Sequence, residues 1–205
     1  MKHLTITLAL LSAAASASAN NPILYSNGPI TATGGNSIGT GSSVFDSFTL
    51  TNNATLRNIT AGIWTQTGYS LTSLDWAITT GYISGTTLAS GTVSSFSTSL
   101  FAANVLGAYT VNSDNFAITP TDLPAGDYWL ELSNAQGFNG VSTSGTVYWD
   151  ANGGPSTAYD NDDGITTSES FTIHGTPTPT PEPGTLALCG LGLAGGWIAR
   201  RRRQS

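Results

Sequence analysis

The sequence predicts an all-β fold, an antiparallel β-sandwich of jelly-roll type, with a closed barrel as the alternative. Three observations carry this. From about Val44 to His174, short runs alternate apolar and polar residues, and a period of two puts each set on one face of a strand. Clusters of Gly, Asn, Asp and Ser separate the runs, as turns require. Only 9% of residues are charged, against about 25% in an ordinary soluble domain. Ser, Thr, Asn and Gly take their place, and these suit strands and turns better than helices.

The runs are read in chain order. Residues 20–43 are rich in Gly, Ser and Thr and predict at most one weak strand near Ile30 in an otherwise loose segment. Val44, Phe48 and Leu50 share one face of the next run, with Asp46 interrupting its apolar side. Ile59, Ala61 and Ile63 alternate with Thr60, Gly62 and Trp64. Leu74, Trp76 and Ile78 alternate with Asp75, Ala77 and Thr79. Further strands are expected at Leu88–Val93, Tyr109–Val111 and Asn115–Ile118, with a helical period only at Leu100–Leu106. Tyr128, Leu130 and Leu132 alternate with Trp129, Glu131 and Ser133; Val147 and Trp149 flank Tyr148; Phe171 and Ile173 alternate with Thr172 and His174. The domain is therefore expected over 44–175. No internal repeat points to a solenoid or propeller.

The two ends have a different character. Lys2 and His3 precede a mostly apolar stretch from Leu4 to Ala15, and Ala17-Ser18-Ala19 forms an A-x-A site. Positive, apolar and small-residue regions in that order predict a secretory signal peptide over 1–19, removed by signal peptidase. At the other end, residues 176–183 alternate Thr and Pro and then read Pro181-Glu182-Pro183. Proline fixes φ and removes backbone donors, so an extended linker is expected. Residues 184–199 are uncharged and Gly-rich, and Arg200, Arg201, Arg202 and Arg203 follow within the tail 200–205. Sixteen helical residues span about 24 Å, short of the roughly 30 Å hydrocarbon core. A short transmembrane helix is expected, with the arginines on the cytoplasmic side.

Proline linker, Pro181-Glu182-Pro183, short apolar span and arginine cluster together resemble the PEP-CTERM sorting signal of Gram-negative bacteria. That resemblance implies an inner-membrane exosortase as processing partner, transient membrane attachment, and a final place at or outside the cell surface. Phe45-Asp46-Ser47-Phe48-Thr49-Leu50, Leu74-Asp75-Trp76-Ala77-Ile78, Ala125-Gly126-Asp127-Tyr128-Trp129-Leu130 and Val147-Tyr148-Trp149-Asp150 resemble segments of small β-rich domains that accompany such tails. This second resemblance implies no biochemical activity.

Charge and residue type narrow the chemistry. Between Asp46 and Glu169 lie 11 acids against Arg57 alone, a net charge of −10. Binding to nucleic acid needs several cations and is not expected. The single cysteine, Cys189, falls in the apolar tail segment, so the domain has no disulfide framework, Cys-based metal site or Cys nucleophile. His174 is the only histidine outside the leader, and no G-x-S-x-G elbow accompanies it. Eleven acids make some carboxylate pair inevitable, so Asp75, Asp127 and Glu131, at turn or polar strand positions, carry no glycosidase signal of their own.

Asp160, Asp162 and Asp163, in Asp160-Asn161-Asp162-Asp163-Gly164, form the one candidate calcium loop. It departs from the EF-hand pattern, and a solvated acidic turn is the favoured reading. No other cofactor is expected. Trp64, Trp129 and Trp149 are the candidates for stacking on sugar rings, with core packing expected for at least two of them. The reading is a non-enzymatic, exported structural protein of the cell surface or of an exopolysaccharide-rich, biofilm-type extracellular matrix. The alternatives are a carbohydrate-binding module, with calcium assisting, and an extracellular polymer hydrolase.

Overall fold

The computed structural model describes residues 21–178. The predicted leader with Ala17 and Ala19, the Pro181-Glu182-Pro183 motif, the apolar span 184–199 and Arg200 to Arg203 lie outside the described residues.

Fourteen strands and no helix make up this part of the chain. They are β1 (Ile23–Ser26), β2 (Gly35–Ser37), β3 (Ser43–Leu50), β4 (Ala54–Gln66), β5 (Ser70–Thr79), β6 (Thr87–Val93), β7 (Ser97–Val105), β8 (Tyr109–Leu123), β9 (Gly126–Phe138), β10 (Thr143–Ser144), β11 (Val147–Asp150), β12 (Ala158–Asp160), β13 (Gly164–Thr166) and β14 (Phe171–Pro177). All pairings are antiparallel and form two seven-stranded sheets.

The first sheet is organised on β4. One edge of β4 pairs along its length with β8, which pairs onward with β7. The other edge is shared by β14, followed by β1, and by β11, followed by β2. The second sheet runs β13-β12-β3-β9-β5-β6, with β10 also on β9. Inward side chains of both sheets meet in one core, among them Leu56, Ile59, Phe116, Trp149 and Phe171 from the first and Phe48, Trp76, Leu130 and Leu132 from the second. Alternation drives the arrangement: β9 buries Tyr128, Leu130 and Leu132 and turns Asp127, Trp129, Glu131 and Ser133 outward.

Three parts of the fold differ from the sequence reading. Leu100–Leu106 carries no helix; it lies in edge strand β7 and the turn after it, with Leu100, Phe101 and Leu106 exposed. Tyr109–Val111 and Asn115–Ile118 are one strand, β8, because Asn112 and Asp114 occupy inward positions where an apolar residue is expected. Near the N-terminus, Ile30 is in a loop, and strands β1 and β2 lie on either side of it. That loop is held by one side chain: the buried Asp150 carboxylate accepts the N–H groups of Thr31 at 2.8 Å and Ala32 at 2.9 Å. Ile38 is completely buried, and its backbone bonds both Val147 and Ala135.

Gly62 is where this loop presses on the first sheet. A Cβ there would stand 2.8 Å from Asp150 Cβ and 2.9 Å from Ile30 Cγ1, and would also strike Ser170 Oγ. Gly62→Ala is expected to destabilise the fold by about 1–3 kcal/mol, the usual cost of overpacking. A lowered urea midpoint with unchanged slope would show it; an unchanged midpoint would mean that the loop gives way freely.

Candidate functional site

The three candidate tryptophans are separated by the fold. Trp149 is completely buried in the core, and its indole N–H donates to Ser170 O at 2.9 Å. Trp64 is 2% exposed and donates to Asp150 Oδ1 at 2.8 Å. Neither can stack on a ligand, because both rings are covered and both N–H groups are used inside the protein. Trp129 alone is partly exposed, on the outer face of the second sheet.

Trp129 has neighbours that the sequence did not bring to notice. The register of the second sheet lines up Ile165, Tyr159, Phe45, Glu131, Ala77 and Ser90 across the strands on that outer face. Tyr82, from the β5–β6 loop, lies over it. Its ring centroid is 4.8 Å from that of Trp129 and 4.6 Å from that of Tyr159. Three aromatic rings therefore form one partly exposed strip.

The loop that positions Tyr82 is tightly closed. Thr80 N–H donates to Thr86 O at 3.1 Å, and Thr86 N–H returns a bond to Thr80 Oγ1 at 2.9 Å. Thr79 Oγ1 donates to Gly81 O at 2.9 Å. Gly85 packs against the Gly81 backbone so closely that no Cβ fits between them. Such a loop holds its aromatic residue in place without a ligand.

Glu131 stands two residues beyond Trp129 on the same face of β9, about 7 Å along the strand. It borders a groove of about 350 Å³ lined by Asp75, Ala77, Ser90, Thr92, Glu131 and Ser133 among others. Asp75 is fixed there: Thr92 Oγ1 donates to its Oδ1 at 2.5 Å and Asn134 Nδ2 to its Oδ2 at 3.0 Å. Burial raises the Glu131 pKa above the usual carboxylate value, and the negative charge of Asp75 adds to the effect.

The acidic loop is built differently. Asp160 is 2% exposed, and its Oδ1 accepts the Asp162 N–H at 2.8 Å, an Asx turn. Asp162 accepts the Ser42 hydroxyl at 3.0 Å and, like Asp163, faces solvent. Among the described residues no three His, Cys, Asp or Glu side chains gather in an arrangement able to hold a metal ion.

A second group of carboxylates is buried. Asp46, Asp150 and Glu169 are completely enclosed, and no buried Lys or Arg faces them, since Arg57 is the only cation among the described residues and is exposed. Asp46 Oδ2 accepts the Glu169 N–H at 2.6 Å and the Asn27 amide at 2.9 Å, while its Oδ1 has no partner. Glu169 Oε1 accepts from Asn36 Nδ2, and its Oε2 has no partner. Burial pushes the Asp46 pKa up to about 6, the hydrogen bonds it accepts acting in the other direction. Burial also raises Glu169 well above the carboxylate range, and the charges of Asp46, Asp150 and Asp160 add to that. With both pairs of oxygens walled in, these groups shape stability and are out of reach of a substrate.

His174 makes contacts consistent with a structural tie. Its Nε2 lies 3.3 Å from Thr60 Oγ1 and its Nδ1 3.2 Å from Asn21 O. No carboxylate is among its hydrogen-bond partners, so the described residues form no Ser-His-Asp arrangement around it.

The strip and groove were legible only in fragments. Trp129 was visible as an aromatic residue on a polar face, and Glu131 and Asp75 as polar strand positions. Nothing local marked Tyr82, which reaches the strip from a loop, or Tyr159, hidden beside the acidic run.

Comparison with curated proteins returns no match. A protein-family model does match beyond the last strand, over residues 179–203, which span Pro181-Glu182-Pro183, the apolar segment and Arg200 to Arg203. The chain thus carries a PEP-CTERM protein-sorting motif, the mark of an exported protein that is membrane-anchored before processing by exosortase.

Proposed function

We propose that the protein is a non-enzymatic structural component of the cell surface or of the extracellular, polysaccharide-rich matrix, displayed on a β-sandwich of jelly-roll type. The observation that carries this is the sorting motif joined to an acidic all-β domain with its carboxylates either sealed in the core or spread over an open face. A leader removed by signal peptidase starts the journey, and exosortase acting at Pro181-Glu182-Pro183 ends the membrane-bound stage.

Physical chemistry supports the order of events. The arginines resist crossing and hold the short span in the inner membrane with the domain outside. A span of about 24 Å anchors weakly, which favours a processing intermediate over a permanent anchor. Deleting Arg200 to Arg203, or replacing Pro181, Glu182 and Pro183 by Ala, is expected to leave full-length protein in the membrane fraction. Cell fractionation with mass spectrometry of both termini reads the outcome. Normal maturation of either variant would remove the basis for this route.

A second reading, carbohydrate binding, is favoured by one observation: Trp129 is not alone on its face but belongs to a three-ring strip beside an acidic groove.

A further inference from the structure

The outer face of the second sheet has properties that folding alone does not require. Trp129, Tyr82 and Tyr159 are each partly exposed there, in contact with one another. The polar tips of Trp64, Trp149, Tyr25, Tyr69 and Tyr128 are all hydrogen-bonded within the protein. The Trp129 indole N–H, the Tyr82 and Tyr159 hydroxyls and the Glu131 carboxylate have no such partner among the described residues. They are free to meet a ligand rich in hydroxyl and amine groups.

We propose that this face binds a polysaccharide bearing free amino groups, a partly or fully deacetylated hexosamine polymer. Its pyranose rings lie on Trp129, Tyr82 and Tyr159, and its ammonium groups are held by Glu131 and Asp75. The proposal rests on the matrix reading above and gives it a ligand class.

Charge selects among glycans. The groove presents two carboxylates, and the only cation among the described residues, Arg57, is on β4 of the opposite sheet. An acidic polysaccharide is repelled from such a face. A neutral one gains ring contact but leaves the Glu131 and Asp75 charges unmatched. An ammonium gains a charge-assisted hydrogen bond from the carboxylate and attraction from the aromatic faces alongside. Asp75 is already oriented by Thr92 and Asn134, while Glu131 is free to turn toward the ligand.

The test uses the full-length chain in mild detergent, with retention on beads of chitosan, chitin, cellulose and polygalacturonate at about 0.15 M salt. Retention on chitosan well above chitin and cellulose, and none on polygalacturonate, is expected. Trp129→Ala should weaken chitosan binding about tenfold or more, and Trp129→Phe much less. Glu131→Gln should weaken it several-fold and bring chitosan down toward chitin. Asp122→Asn removes the same charge from β8 on the other sheet and should change nothing. Equal losses in Glu131→Gln and Asp122→Asn would reveal mere attraction of an acidic protein to a polycation and overturn the site. Undiminished binding by Trp129→Ala would overturn it as well. Should that variant fail to fold, Tyr82→Ala, in a surface loop, reads the same loss. Processing is scored separately: failed binding with normal delivery removes only the ligand assignment, and failed delivery with intact binding removes only the sorting route.

Discussion

Replacing Asn27 by Asp is expected to destabilise the fold severely at pH 7.5. Asn27 closes β1 and is completely buried. Its amide nitrogen lies 2.9 Å from Asp46 Oδ2, 2.6 Å from Ser156 Oγ, 2.6 Å from Ser168 Oγ and 2.7 Å from Glu169 O. One side-chain nitrogen, with two hydrogens to give, thus lies within reach of four oxygens from three parts of the chain. Its oxygen accepts the Tyr25 hydroxyl at 2.9 Å, and its backbone bonds Phe171 O and the Asn152 amide. In a region with buried carboxylates and no buried cation among the described residues, this amide turns the positive end of a dipole toward Asp46.

Asp at that position has nearly the same shape but offers an acceptor where a donor is required. It adds a further anion against Asp46. Breaking a buried polar pair in this way costs about 3–5 kcal/mol, a large part of a domain's total stability of about 5–15 kcal/mol. Asn27→Ala leaves a small cavity and should cost less, about 2–3 kcal/mol. Urea denaturation ranks the two. The gap should narrow at pH 4, where a protonated Asp regains a donor. An Asp variant as stable as the parent at pH 7.5 would show that Asn27 is not the hub described.

Stability of the parent protein should fall as pH rises from 4 to 8, the reverse of the usual carboxylate behaviour. The sign follows from the direction of the shifts. Asp46, Asp114, Glu131, Asp160 and Glu169 all have pKa values raised on folding, in each case chiefly through burial. The folded state therefore holds these protons more tightly than the unfolded chain. That contribution is fully present below the unfolded carboxylate value near 4. It is lost as pH climbs through the folded value, about 6 for Asp46.

For Asp46 alone the difference corresponds to about 3 kcal/mol. In a domain of this size that is on the order of 10 °C in melting temperature. Calorimetry from pH 4 to 8 should show the decline. Asp46→Asn should make it shallower, because a neutral amide has no proton to lose while the other raised carboxylates keep theirs. A melting temperature that rises across this range would contradict the burial of these groups as uncompensated anions. For a protein exported from the cell, the slope means that mild acid outside strengthens the fold.

Much of the architecture could be read from alternation, and the exceptions share a cause. β4, β5, β9, β11 and β14 stand out because one face is apolar and the other polar. β7 does not, because it is an edge strand open to solvent on most of its length, so no face of it had to be apolar. The order of residues 21–42 depends on Asp150 and on backbone bonds to Val147 and Ala135, all more than ninety positions away in sequence. Asn27 carried no signal, since a buried amide looks like any polar residue until its acceptors are known. The site was partly legible for the same reason: register, which sequence does not print, brings Tyr159, Phe45, Glu131 and Asp75 to one face.

The way the chain leaves the sandwich has a mechanical meaning. β14 is clasped between β1 and β4; its register reaches Pro177 opposite Ala54, and the Thr178 N–H donates to Asn53 O at 2.7 Å. Gly175 N–H bonds Pro22 O at 3.0 Å, so both ends of the domain emerge side by side. Any tether attached beyond Thr178 pulls β14 along its own axis. Rungs on both of its edges then share the strain in shear and do not open one after another. The domain is thereby suited to bear drag between whatever fixes its tail and whatever grips its opposite sheet.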